Sequence, residues 1–138
     1  MRRFLLLLAF GLLTSTAVRA EFVIVAGAAS SFGELSRDLA EQLFLGRRST
    51  TADGHAVQLL DLPRGAERDR FYFLLTAKKP AQVRAWWSRQ VFSGRALPPF
   101  EAASIADLRR RLGDNPDAIG YLPVDAATAE LRILLRLP

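Results

Sequence analysis

Apolar positions along this chain switch between two spacings, and the switches mark out the elements. Glu21 to Ala26 (EFVIVA) is a short unbroken apolar run rich in β-branched residues, which predicts a strand buried on both faces. Gly27 to Gly33 follows as a loop of small residues. Leu35, Leu39, Leu43 and Phe44 then recur at helical spacing. Ser36 is placed to cap that helix, Asp38 sits in its first turn, and Gly46 supplies the position past its end.

Asp53-Gly54 marks a turn, Ala56 to Leu62 (AVQLLDL) reads as a second strand, and Pro63 ends it. Ala66 to Ala77 is helical, with Phe71, Leu74 and Leu75 facing inward. Pro80 opens a further helix to Phe92, with Gly94 as its stop and Pro98-Pro99 as a rigid link. Ser104 and Asp107 form a capping pair for a helix that buries Ile105, Leu108 and Leu112. Ala118 to Leu122 and Leu131 to Leu135 complete the chain as two short strands. Strands interleaved with helices predict an α/β domain, in two or three layers, with a small, mainly parallel sheet flanked by helices. No internal repeat is visible.

The N-terminus stands apart from this pattern. Arg2 and Arg3 precede a ten-residue apolar run, Phe4 to Leu13, and Val18-Arg19-Ala20 forms a cleavage site before Glu21. Residues 1–20 therefore read as a secretory leader and residues 21–138 as the mature domain. The apolar run falls well short of the roughly 20 residues a bilayer requires. After cleavage, no stretch is long enough to span a membrane, and a periplasmic location is expected.

Charge and composition change the picture only when the leader is removed. The full chain carries 19 basic and 14 acidic residues, a net +5. Arg2, Arg3 and Arg19 leave with the leader, so the mature chain falls to about +2, and nucleic acid loses its electrostatic case as a partner. Arg109-Arg110-Arg111 is the densest basic run. It falls on the outer face of its helix near the negative end of the dipole, which a solvated face explains. The chain has no cysteine and one histidine, His55. Thiolate chemistry and disulfides are excluded, zinc cages lack their usual ligands, and no cofactor is implied. No nucleophile–base pair and no carboxylate pair at a diagnostic spacing is present, so an enzyme is not expected.

Two loops have the right address for a ligand, since open α/β sheets bind at the carboxyl ends of their strands. In the first, Gly27 to Gly33, backbone amides are accessible and Ser30 and Ser31 add hydroxyls, a donor set suited to an oxyanion. The same composition also suits an ordinary strand-to-helix connection, and Glu34 opposes an anion. In the second, Pro63 to Ala66, Arg64 offers a bidentate contact and Gly65 permits close approach. A surface arginine in a Pro-Gly turn is the alternative. Trp86-Trp87 sits mid-helix with one ring facing the core. Tyr72 and Tyr121 read as packing groups with satisfied hydroxyls, and His55 as exposed.

The order FVIVA, small-residue loop, LSRDLAEQLFLG, DG, VQLLDLPRGAERDRFY, WWSRQVFSGRALPP and NPDAIGYLP resembles the phosphate-type substrate-binding proteins of ABC uptake systems. It is most similar to their short single-domain relatives. The resemblance implies a type 2 periplasmic-binding-protein fold and non-covalent capture of a small oxyanion such as phosphate. Ser31-Phe32 resembles the hydroxyl-plus-aromatic pair after the first strand in that family. Arg64-Gly65-Ala66 stands near the arginine and Ser-Gly-Thr helix start of its members. The implied contact set is Ser30, Ser31, Phe32, Arg64 and Gly65, with no metal. The alternative is an interaction protein that keeps the scaffold without the ligand and docks on a membrane sensor or transporter.

Overall fold

The computed structural model describes residues 21–138, and the expected leader lies outside them. The elements are β1 (Phe22–Ala26), α1 (Arg37–Phe44), β2 (Gln58–Asp61), α2 (Ala66–Thr76), α3 (Pro80–Phe92), β3 (Phe100–Glu101), α4 (Ile105–Asp114), β4 (Ala118–Pro123) and β5 (Arg132–Leu137). A single 3-10 turn, Val124–Ala126, precedes β5. The two-residue β3 follows Pro98-Pro99, where the sequence predicts only a link. It forms because Leu60 and Asp61 offer an open edge on which Phe100 and Glu101 pair.

Local chemistry sets the helix ends. The Ser36 hydroxyl accepts from the Leu39 amide at 3.1 Å, and the Ser104 hydroxyl accepts from the Asp107 amide at 3.0 Å. Pro80 occupies the first turn of α3. Gly46 and Gly94 take positive φ just beyond α1 and α3.

The sheet is one open array in the order β3-β2-β4-β1-β5. β3, β2, β4 and β5 run one way. β1 alone is reversed, antiparallel to both β4 and β5. Four strands share a direction, yet the sheet is mixed rather than mainly parallel as expected. β1, the first and most buried strand, pairs antiparallel along its length on both sides, while the parallel ladders of β2 are short. Side chains alternate across β4 to make three layers. Tyr121 meets Phe44 of α1 and Phe71 and Tyr72 of α2 on one face. Gly120 faces Leu108 of α4 on the other, where an added Cβ would lie 3.1 Å from the leucine side chain. The core runs through both faces and includes Val23, Ile24, Val25, Leu43, Phe71, Leu112 and Ile119, all fully buried.

Candidate functional site

The reversal of β1 decides which residues can form a site. Ala26 lies opposite Ile119 of β4, and Leu59, near the start of β2, also pairs with Ile119. The chain therefore leaves β1 at the edge of the sheet where β2 enters. Pro63 and Arg64 leave β2 at the far edge. The loop carrying Ser30, Ser31 and Phe32 and the loop carrying Arg64 and Gly65 sit at opposite ends of the sheet, so the structure does not bring the expected contact set together.

The first loop is occupied with its own structure. The buried Ser30 hydroxyl accepts from the Phe32 amide at 3.1 Å, and the Ser30 amide donates to the Gly27 carbonyl. Phe32 is buried in the core with its ring edge-on to His55 at 6.4 Å, and Ser31 is exposed. Gly27 is glycine for packing, because a Cβ there would lie 2.1 Å from the Leu112 carbonyl oxygen. His55 is exposed as expected, with Nδ1 2.9 Å from the Asp53 carboxylate.

The second loop opens on a cleft of about 630 Å³ between α2, α3 and Pro98-Pro99. One stripe of α2 (Gly65, Arg68, Asp69, Tyr72) faces one stripe of α3 (Val83, Arg84, Trp87, Ser88, Val91), each at helical spacing. Arg64 stands at the mouth. Gly65 caps α2 without a side chain, so the first amides of that helix have no side-chain acceptor. Three arginines, Arg64, Arg68 and Arg84, face this space against one carboxylate, Asp69. Arg64 and the uncapped amides of α2 thus lie together at one helix start, with Arg84 facing them from α3 across the cleft. Among the described residues, no cluster of His, Cys, Asp and Glu can hold a metal.

Behind the cleft lies a buried polar knot. Asp61, 1% exposed, accepts from the Tyr121 hydroxyl at 2.6 Å and the Tyr72 hydroxyl at 3.1 Å. Arg68 Nη2 lies 3.2 Å from the same carboxylate, and its Nη1 donates to the Leu62 carbonyl at 3.3 Å. Burial pushes the Asp61 carboxyl above its ordinary value, while Arg68 and the two hydroxyls pull it down. Burial also raises both tyrosines well above the ordinary phenol value, so they stay neutral donors. Arg68 is held from a second side by Glu101 at 3.7 Å, and Glu101 also accepts from the Arg64 amide at 3.1 Å. Sequence reasoning anticipates the satisfied tyrosine hydroxyls but misses this knot. Its one visible signal is an aspartate inside the apolar run LLDL.

The tryptophans divide as expected. Trp87 is buried, and its Nε1–H has no acceptor among the described residues. Trp86 is half-buried, donates to the Leu45 carbonyl at 2.7 Å and is overlaid by Arg47 at 4.8 Å. The triple-arginine run is structural in the described fold. Arg110 and Arg111 pair with Asp107 at 2.6 and 3.0 Å, and Arg109 donates to the Ala126 carbonyl at 2.9 Å.

The same architecture is found in solved structures. An ABC-type phosphate transport receptor from Vibrio cholerae superposes with a TM-score of 0.63 at 12% identity, over 83% of this chain and 45% of that one. The chain shares the fold of phosphate-type substrate-binding proteins. A putative phosphate ABC transporter substrate-binding protein with bound phosphate, from Clostridium perfringens, matches with a TM-score of 0.63 at 10% identity. That match covers 83% of this chain and 44% of that one. A possible phosphate binding protein from Planctomyces limnophilus gives 0.59 at 12% identity, over 83% and 40%. The chain spans less than half the length of each of these structures. No family model matches the sequence, and no curated protein matches it. None of the helices among the described residues is long and apolar enough to cross a membrane.

Proposed function

We propose that the protein is an exported solute-binding module that takes a small oxyanion, phosphate-like in chemistry, without covalent bonding and without a metal. The contact group on this reading is Arg64, Gly65 and the first amides of α2, joined by Arg68. The observation that carries it is the uncapped start of α2 opening on a cleft faced by three arginines and one carboxylate. The phosphate-type solute-binding fold supports the same class of ligand. The secretory pattern read in the sequence of residues 1–20 supports periplasmic export.

Thermal melts in phosphate, sulfate and chloride at matched ionic strength test the reading. A ligand that binds only the folded state at 100 times its dissociation constant adds about 2.7 kcal/mol of stability. Amide resonances of Gly65 to Arg68 should move in the same titration. Absence of any oxyanion-specific shift would sink the proposal.

A second reading, a scaffold that docks on a membrane sensor or transporter, draws on one observation. Phe92 is 96% exposed and Leu97 is 88% exposed, beside the half-exposed Phe100. Of the residues whose exposure would favour docking, Ala66 is exposed and Trp86 half-buried, whereas Leu62 and Trp87 are buried. Leu97→Asp, outside the cleft lining, separates the readings, since it should leave an oxyanion response intact and abolish docking on a membrane protein.

A further inference from the structure

The cleft is far larger than a tetrahedral anion requires. Its volume of about 630 Å³ lies within the range of roughly 300–1,000 Å³ typical of pockets that hold organic ligands. An oxyanion of five heavy atoms occupies only a few times the roughly 30 Å³ of a water molecule. Beyond Arg64 and the α2 start, Val83, Trp87, Val91 and the Pro98-Pro99 pair give the wall an apolar stretch beside Arg84 and Ser88. These groups lie along one face of α3 and the chain just after it, so the apolar surface is continuous with the cationic mouth.

We infer that the ligand is an organic oxyanion, a phosphonate, phosphate ester or sulfonate whose charged head meets Arg64 and the α2 amides and whose aromatic or aliphatic body fills the α2–α3 cleft. This rests on the anion reading above and adds the body to it. Charge selects the head through Arg64 and Arg84, the cleft guanidinium groups not already matched by a carboxylate, since Arg68 is held by Asp61 and Glu101. Burial of the body then sets affinity, each buried methylene being worth about fourfold.

Isothermal titration with inorganic phosphate, phenylphosphonate, a series of n-alkylphosphonates and benzyl alcohol tests the inference. Phenylphosphonate should bind at least tenfold more tightly than phosphate, with affinity rising along the alkyl series and tryptophan emission changing in step. Ser88 is exposed on the cleft face of α3. Ser88→Trp should remove the gain from the body and leave phosphate binding unchanged, with its fold checked by circular dichroism. Equal affinity for phosphate and phenylphosphonate overturns the inference and leaves the anion reading standing. Binding of neither overturns both. Benzyl alcohol binding as tightly as phenylphosphonate overturns the requirement for a charged head, and a gain that survives Ser88→Trp overturns the placement of the body.

Discussion

Arg68 Nη2 sits 3.2 Å from the buried carboxylate of Asp61, so a residue that faces the cleft is anchored in the sheet. Asp61 ends β2, Arg68 belongs to the first turns of α2, and the Tyr121 hydroxyl reaches the same carboxylate from β4. The start of α2 is thereby set by the polar interior of the fold as well as by the loop before it. A guanidinium held this way is preorganised, which on the proposed anion reading would limit the entropy lost on binding.

Asp61→Ala should be the most damaging conservative truncation in this region. It strands the hydroxyls of Tyr72 and Tyr121 and leaves Arg68 without its buried partner. Breaking such a partnership from one side costs about 3–5 kcal/mol. Urea denaturation measures the loss, and a midpoint within error of the parent would show that the knot is dispensable.

Acid should weaken the fold through Asp107. This carboxylate accepts from the Ala103 amide and pairs with Arg111 and Arg110, which holds its pKa down at about 2 against an ordinary 3.8. A lowered folded pKa means the unfolded chain binds the proton first, so the contribution is complete above pH 3.8 and is lost as pH falls toward 2. Asp61 acts in the opposite sense, because its raised pKa favours the folded state on the acid side and that benefit is lost as pH rises through it. Denaturant midpoints collected from pH 5 to pH 2 should fall, and Asp107→Asn should flatten the slope.

Gly27→Ala should destabilise strongly without altering anion binding. Its new methyl would meet the backbone of Leu112 at 2.1 Å, and overpacking against backbone that cannot yield costs about 3 kcal/mol or more. Ser31→Ala, at an exposed position on the same loop, should change stability by less than about 0.5 kcal/mol. It should also leave the phosphate-dependent melt untouched. Loss of that response in Ser31→Ala would return the first loop to the site.

Arg64→Ala should abolish the oxyanion-dependent shift at almost no cost to the unliganded protein. Its side chain is exposed, and only its backbone amide is tied down, to Glu101. Paired melts with and without phosphate check both halves. A preserved shift would remove Arg64 from the contact group.

Much of this fold is legible along the chain because its signals are local. Ser36 and Gly46 bracket α1, Pro80 opens α3, Ser104 caps α4, and each acts through backbone groups a few residues away. The apolar spacing likewise marks every strand except β3, which exists only because the edge of β2 receives it. The expected contact set was placed only in part by the sequence. Arg64 and Gly65 do open on a cleft, whereas Ser30 and Phe32 turn inward to cap a loop and fill the core.

The sequence by itself determined the order of elements, the helix ends, the inward faces and the resemblance to phosphate-type binding proteins. Only the tertiary structure decided that β1 runs against its neighbours, that the two small-residue loops part to opposite edges, and that Asp61 gathers Tyr72, Arg68 and Tyr121. The physical reason is range. Caps and periodicities act within one or two turns of chain, while strand direction and the company of a buried carboxylate depend on residues as far apart as Asp61 and Tyr121, brought together only by the burial of the whole core.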